Sequence, residues 1–323
     1  PPVLHCMGMT LPRVHGRGRA AVTRVSDDHA YPGVEEDAAA VARHIWHCAA
    51  NSLWLRDFFV CDWDMFRTSE WHAAIHAAAR AVSGGPVYVS DPADRLSRDA
   101  LRPLLLPGAL DGGDNAGRVV PSSSCGAPIG RQAFVNPTEV GEAWWVANAT
   151  TAGWIAVAFG LCDVGGELLR GTLHPADLDA GGVGGSCEQL ACLQVDLHGN
   201  GHAAPLTDAG WDVALHYMHF QVLAVAPLLQ PPGGGRRLAV FGLRGVWNPT
   251  GTLESRPVIV AAGGGDSWQV DIRARCSGDL LVWADGACSL SVRGAQRVTL
   301  TCAGLASIPV SGQDVTLCVD AGA

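Results

Sequence analysis

Carboxylates follow three apolar segments in the first hundred residues. The segment "AAVTRVSDD" ends in Asp27 and Asp28, "DFFVCDWD" contains Asp62 and Asp64, and "GPVYVSD" ends in Asp91. Carboxylates can exchange protons with a reacting group or accept hydrogen bonds from hydroxyl groups. Because three successive apolar segments each end in carboxylates, the sequence indicates a shared site.

The elements around these carboxylates follow a β-α-β-α rhythm. Apolar segments at residues 3–7, 21–26, 58–61 and 86–90 are typical of strands, and Ala-rich segments at 35–55, 69–83 and 96–105 are typical of helices. The strands are continuously apolar, which indicates a parallel sheet buried on both faces. In a (β/α)8 barrel, site residues stand at the carboxyl ends of the strands, so the carboxylates are expected at one rim.

The segment Asp62-Trp63-Asp64 suits sugar binding. Carboxylates accept hydrogen bonds from neighbouring hydroxyl groups, and an indole packs against the apolar face of a pyranose. The alternative is a helix-capping turn with Trp63 in the core. The strand-end position favours the binding interpretation.

Other polar residues allow two interpretations each. Arg24 could hold sugar hydroxyls beside Asp27 or form a surface salt bridge. Asp91 could bind substrate or form a turn before Pro92. The carboxylates at 27 and 28 could instead cap the following helix.

Histidine pairs one helical turn apart could hold zinc, but no HExxH pattern completes such a site. The pairs at 44 and 47 and at 72 and 76 are interpreted as helix-face histidines, and the pair at 216 and 219 is not interpreted as a metal site. No metal and no cofactor are expected. Trp144, Trp145 and Trp154 are interpreted as core residues.

The remainder of the chain changes character. Residues 109–129 are rich in Gly, Ser and Asp and read as a loop or linker. Residues 130–323 hold short strand-like segments separated by Gly, Pro and Asp turns, which predicts an antiparallel β-sandwich. The expected fold is therefore α/β barrel units over residues 1–108 followed by an all-β domain.

Composition excludes several partners. The 22 basic residues, all arginine, are outnumbered by 31 acids, so nucleic acid is not an expected partner. No apolar run reaches the length of a membrane span, and no signal peptide opens the sequence. The 11 cysteines are scattered along the chain, which favours reduced thiols over disulfides and therefore a location in the cytoplasm or a plastid.

Three segments carry a resemblance to a known family. "TRVSDDHAYP" at 23–32, "CDWDMF" at 61–66 and "HAAARAVSGGPVYVSD" at 76–91 resemble, in order and spacing, the raffinose synthase and alkaline α-galactosidase (seed imbibition protein) family, glycoside hydrolase family 36. The family fold is a catalytic TIM barrel followed by a C-terminal β domain. The resemblance implies that this chain corresponds to the C-terminal half of the barrel and the β domain, with the N-terminal half missing.

The resemblance also implies a retaining mechanism. Such enzymes use two carboxylates about 5 to 5.5 Å apart, one as nucleophile and one as acid/base. The family places the acid/base residue in "RVSDD", which implies Asp27, with Asp28 as the alternate. Substrate binding by Arg24, Asp62, Trp63, Asp64 and Asp91 is the expectation from the residue types at the strand ends. The family nucleophile lies in a Lys-x-Asp motif, and this chain has no lysine.

The implied function is galactosyl transfer in raffinose-type oligosaccharide metabolism. The leading expectation is transfer from galactinol to sucrose, as in raffinose synthase. One alternative is an alkaline α-galactosidase that passes the sugar to water. Another is a truncated, non-catalytic carbohydrate-binding protein, because the nucleophile motif is absent from the 323 residues.

Overall fold

The computed structural model describes residues 3–10, 20–29, 37–112, 114–178, 189–198, 201–231, 234–262, 267–292, 297–300 and 303–320. Within these residues the fold is mostly β-sheet with few helices. Among the described helices, none is both long and apolar enough to cross a membrane.

The first part of the chain forms a parallel sheet. Strands β1 (Val3–His5), β2 (Ala20–Arg24) and β3 (Val60–Asp62) pair in that order, and both pairings are parallel. Helix α1 (Ala38–Leu55) connects β2 to β3, and helix α2 (Ala73–Ser83) follows β3. The predicted rhythm is confirmed for these elements, whereas the barrel itself is not established by three strands.

The fourth predicted strand is wrong. Residues 86–90 form only an isolated parallel bridge, Phe66 to Val89, in place of a continuous strand. The chain leaves β3 through Asp64, whose φ of 66° lies in the left-handed region, so the extended path ends there. Only Phe66 therefore comes alongside the 86–90 segment.

Local signals explain the helix boundaries. The Asp37 side chain accepts the backbone N–H of Ala39 at 2.9 Å and caps α1. Helix α2 ends at Gly84, whose φ is 70°. The predicted helix at 96–105 is reduced to α3 (Arg98–Leu101) and one 3₁₀ turn. Residues 35 and 36 of the first predicted helix lie outside the described residues.

The second part is antiparallel, as predicted. Its largest sheet has the order β4-β5-β6-β11-β8-β9, and two further sheets have the orders β12-β15-β18 and β13-β14-β19-β16-β17. A separate pair joins β10 and β7. The strands are β4 (Ala127–Pro128), β5 (Trp144–Ala149), β6 (Trp154–Phe159), β7 (Leu169–Leu173), β8 (Leu190–Gln194), β9 (Ala203–Leu206), β10 (Trp211–Leu215), β11 (Phe220–Pro227), β12 (Leu238–Leu243), β13 (Val258–Ala262), β14 (Ser267–Arg273), β15 (Gly278–Ala284), β16 (Cys288–Val292), β17 (Arg297–Leu300), β18 (Gly304–Val310) and β19 (Asp314–Asp320).

One apolar core joins the two parts. Ile45 of α1 and Val82 of α2 belong to the same buried cluster as Trp144, Ile155 and Phe159 of the six-stranded sheet. A second cluster fills the space between the last two sheets. Trp144, Trp145 and Trp154 are all buried, so their interpretation as core residues is confirmed. The six-stranded sheet thus supports the helices that position the carboxylates.

Candidate functional site: a carboxylate cluster at the ends of parallel strands

Arg24 lies at the centre of the candidate site. It is the last residue of β2, where it is paired in register with Asp62 of β3. Its guanidinium forms ion pairs with Asp28 at 2.6 Å and with Asp64 at 3.2 Å. Burial alone would lower the pKa of Arg24, but the attraction of Asp64 and the hydrogen bonds to both carboxylates outweigh it and raise the pKa. The alternative of a surface salt bridge is wrong, because Arg24 is only 7% exposed.

Asp62 and Asp64 are held together by a tight turn. The Asp62 carboxylate accepts the backbone N–H of Asp64 at 2.9 Å, and both residues are buried. Burial raises the pKa of Asp62, although hydrogen bonds from Tyr88 and from the Asp64 backbone partly oppose the shift. The predicted proximity of the carboxylates that follow β2 and β3 is therefore present in the structure.

Tyr88 completes this cluster and was missed by the sequence interpretation. Its hydroxyl donates to Asp62 Oδ2 at 2.8 Å and approaches Asp64 Oδ1 at 3.4 Å. The pKa of Tyr88 is raised by burial and by the neighbouring carboxylates. A tyrosine within the apolar segment "GPVYVS" gives no signal of this role, because tyrosine is common in strands.

Arg80 holds the turn from the opposite side. This buried guanidinium, 2% exposed, donates to the carbonyl oxygens of Trp63 at 2.7 Å, Asp64 at 3.1 Å and Met65 at 2.8 Å. A planar guanidinium can satisfy several carbonyls at once, which an ammonium group cannot do in the same geometry. Arg80 therefore fixes the left-handed turn at Asp64 that places the carboxylate beside Arg24.

The two carboxylates after β2 differ in their positions. Asp28 is paired with Arg24, and its side chain is 45% exposed. Asp27 is also exposed, and the Ser26 hydroxyl donates to its backbone carbonyl at 2.9 Å. Of the two, Asp28 is the residue that the described contacts link to the cluster.

Trp63 occupies the core, contrary to the predicted sugar-stacking role. Its side chain is 0% exposed, and its indole N–H donates to the Ser52 hydroxyl of α1 at 2.9 Å. With both ring faces enclosed by protein, the indole has no surface to offer a pyranose. The core alternative explains this residue.

Asp91 lies in a turn apart from the other carboxylates. Its oxygens accept the backbone N–H groups of Thr68 and Ser69, both at 2.8 Å. Burial would raise the pKa of Asp91, but these hydrogen bonds outweigh it and lower the pKa. The predicted contribution to substrate binding has no support in these contacts, and the turn alternative describes what the side chain does.

Histidines from separate elements converge behind the cluster. The rings of His29 and His76 have centroids 4.4 Å apart, and those of His72 and His76 are 5.0 Å apart. One ring nitrogen from each of His29, His72 and His76 lies within 4.8 Å of the others. The helical pair was visible in the sequence, but the approach of His29 from the loop after β2 was not.

Comparison with known proteins finds a sequence similarity over the part of the chain that contains this site. Residues 3–143 match the sequence model of the family described as raffinose synthase or seed imbibition protein Sip1. The matched segment contains the parallel strands, both long helices and every carboxylate of the candidate site. Residues 3–143 are therefore the part of the chain that is similar to the raffinose synthase family.

Individual relatives extend the similarity. A galactinol–sucrose galactosyltransferase from Oryza sativa subsp. japonica is 30% identical over 264 residues, which cover 74% of this chain and 32% of the rice protein. A probable galactinol–sucrose galactosyltransferase 5 from Arabidopsis thaliana is 28% identical over 66% of this chain and 28% of its own length. A stachyose synthase from Pisum sativum is 42% identical over 64 residues, which cover 20% of this chain and 8% of the pea protein. The chain thus spans less than a third of the length of the first two relatives.

Proposed function

We propose that this chain carries the acid/base side of a retaining galactosyltransferase active site. The observation that carries the proposal is the linked set of Asp28, Arg24, Asp64, Tyr88 and Asp62 at the carboxyl ends of two parallel strands. In a TIM barrel this is the end of the strands at which catalytic residues stand. The family match over residues 3–143 and the names of the relatives support galactosyl transfer as the reaction.

Asp28 is our first assignment for the acid/base residue, with Asp27 as the alternate. The ion pair with Arg24 orients the Asp28 carboxylate, while its exposed fraction leaves room for a leaving group to approach. An acid/base carboxylate has to protonate the departing oxygen and then deprotonate the acceptor hydroxyl. A group that is both oriented and accessible meets these two requirements.

Asp62 and Asp64 are proposed to bind hydroxyl groups of the transferred galactosyl unit. Both are buried, but the group that covers them is itself a hydroxyl, that of Tyr88. Tyr88 is 37% exposed, so its side chain has space in which to move. A sugar hydroxyl that replaces the tyrosine hydroxyl would recover the same hydrogen bonds without leaving the carboxylates unpaired.

The complete protein is proposed to use galactinol as donor and sucrose or a raffinose-type oligosaccharide as acceptor. The nucleophile is proposed to come from an N-terminal barrel half outside these 323 residues. Within the chain, residues 1–108 are proposed to form the later α/β units of the barrel, 109–129 the linker and 130–323 the β domain. The nine cysteines of the described part of the chain are free thiols, which supports a cytoplasmic or plastid location.

The test is galactosyl transfer by the complete protein that contains this segment. We expect Asp28→Asn to reduce transfer from galactinol to sucrose by about 100-fold or more, because acid/base catalysis contributes on that order. Asp27→Asn serves as the matched control and should retain most activity. Full activity of the Asp28 variant would refute the assignment. Product formed only with water as acceptor would favour the α-galactosidase alternative, and galactinol binding without any product would favour a carbohydrate-binding protein.

A further inference from the structure

A group of buried histidines lies directly behind the carboxylate cluster. His29 follows β2, His72 precedes α2, and His76 lies in the first turn of α2. Their ligand nitrogens lie within 4.8 Å of one another. The backbone N–H of His29 donates to Asp64 Oδ2 at 2.8 Å, which fixes the start of the loop that brings this ring to the helix.

The donor atoms define the class of ion that would fit. Three imidazoles suit Zn²⁺ and similar divalent transition metals, whereas Mg²⁺ and Ca²⁺ prefer oxygen ligands. Nitrogens bound to tetrahedral zinc at about 2.0 to 2.1 Å lie about 3.4 Å apart, so small rotations of the rings would complete the site. The separation of 4.8 Å or less is within reach of such rotations.

His76 supplies an independent observation. Arg80 Nη1 lies 2.9 Å from His76 Nδ1, and because arginine can only donate, Nδ1 must accept. The ring proton then resides on Nε2, which is buried and has no hydrogen-bond partner among the described residues. His29 Nδ1 is likewise buried without such a partner in the described part of the chain. Polar atoms left unpaired inside a protein are destabilising, and a ligand that engages them relieves this cost.

We propose that His29, His72 and His76 form a binding site for a divalent transition metal of the zinc class. The ion replaces the proton on His76 Nε2, so that one proton is released as the Zn–N bond forms. Arg80 remains hydrogen-bonded to Nδ1 and stabilises the resulting imidazolate, whose negative charge offsets part of the repulsion between Arg80 and the ion. A surface cavity of about 530 Å³ is lined in part by Trp71, His72 and Ile75, so one of the three histidines borders it.

This site does not depend on the proposed galactosyl chemistry. His44 is adjacent, with its ring centroid 5.3 Å from that of His29. Its ring has a hydrogen bond with the Trp63 backbone, and its Nε2 contacts Cys48 Sγ at 3.6 Å. His44 is therefore assigned to the surrounding packing, and the fourth metal position is left to water or another small ligand.

The test is titration of the metal-free 323-residue chain, without an affinity tag, with Co²⁺ and Zn²⁺. We expect one equivalent of Co²⁺ to give a visible ligand-field spectrum without thiolate charge-transfer bands, because the ligands are imidazoles. Calorimetry in buffers of different ionisation enthalpy should show release of about one proton for each Zn²⁺ bound, as displacement of a ligand proton requires.

Variants separate this site from adventitious binding. His29→Gln and His72→Gln should each weaken Zn²⁺ binding by about 100-fold or more, since even indirect partners of a metal contribute about 10- to 100-fold. His47→Gln, on the outer side of α1, is the matched control and should bind as the parent does. His29 is partly exposed, so its variant tests the site even if the His72 variant fails to fold. Absence of binding by the parent, unchanged binding by both variants, or a thiolate spectrum would overturn the proposal.

Discussion

At the scale of single residues, the candidate site depends on hydroxyl and guanidinium groups that share carboxylates. The Tyr88 hydroxyl and the Arg24 guanidinium both contact Asp64, and Tyr88 also bonds Asp62. These contacts give each of the two buried carboxylates a hydrogen-bond donor, which offsets the repulsion between them. The chemistry proposed for the site therefore depends in part on the Tyr88 hydroxyl, which the sequence pattern alone did not identify.

Replacing the tyrosine hydroxyl tests this interdependence. We expect Tyr88→Phe to lower the KM for galactinol of the complete protein by about 10-fold or more, because the sugar hydroxyl then no longer has to displace a hydrogen bond to a charged group, which contributes about 1.5 to 3 kcal/mol. Tyr217→Phe removes a hydroxyl that lies outside the cluster and is the matched control. Steady-state rates with galactinol and sucrose provide the measurement, and equal KM values for the two variants would exclude a role for Tyr88.

Asp91 should affect stability in a pH-dependent way. Its pKa is lower in the folded chain than in the unfolded chain, so the carboxylate stabilises the fold above the unfolded pKa of about 3.9 and loses this effect as the pH falls through the folded pKa. We expect Asp91→Asn to lower the free energy of unfolding by about 1 kcal/mol at neutral pH, with the difference shrinking as the pH falls below the unfolded pKa of about 3.9.

Urea unfolding of the parent and the variant at several pH values measures this effect. Asp94→Asn changes an exposed carboxylate three residues away and is the control, expected to alter stability by less than about 0.5 kcal/mol. A difference between Asp91→Asn and the parent that stays constant with pH would show that the backbone hydrogen bonds do not stabilise the ionised form.

At the scale of elements, close backbone contacts hold α2 against β3. A methyl group added at Gly85 would lie 2.1 Å from the Cys61 carbonyl oxygen, which belongs to β3. Gly84 ends the helix with a φ of 70°. Gly84 and Gly85 therefore form the junction that sets the distance between the Asp62 turn and Arg80.

Gly85→Ala should consequently destabilise the chain. We expect a loss of about 2 kcal/mol or more in the free energy of unfolding, because the contact is with backbone, which cannot rotate away. Gly278→Ala is the control, since its added methyl would meet only Leu243 side-chain atoms at 3.5 Å or more. Thermal or urea unfolding compares the two variants, and an equal effect would contradict the proposed tight packing.

At the scale of the whole molecule, the sequence predicted the order and type of elements better than their extents. Apolar periodicity located α1, α2 and β1 to β3 because it reflects burial directly. It could not show that residues 86–90 form a single bridge, since the left-handed turn at Asp64 depends on Arg80, sixteen residues later. It also could not bring Tyr88 or His29 to the site, because such contacts arise only when separate elements pack together.

The same limitation applies to the predictions made for the carboxylates. Strand-end position correctly grouped Asp62 and Asp64 with the segment after β2, because parallel strands present their carboxyl ends at one edge. It favoured Asp27, with Asp28 as the alternate, whereas the contact with Arg24 in the structure is made by Asp28. It also could not show that Asp91 turns toward the backbone of Thr68. Trp63 was assigned to sugar binding by residue type, whereas its burial is decided by the packing of α1 against β3.

The most direct test of the central claim is chemical rescue of an Asp28→Ala variant of the complete protein. An activated α-galactoside donor needs little acid catalysis, so a galactosyl-enzyme should still form and should react with added azide. If Asp28 is the acid/base residue, azide restores turnover and the product is α-galactosyl azide, because azide takes the place of the acceptor in the second displacement. A β-galactosyl azide would assign Asp28 as the nucleophile, and failure of azide to change the rate would contradict the claim.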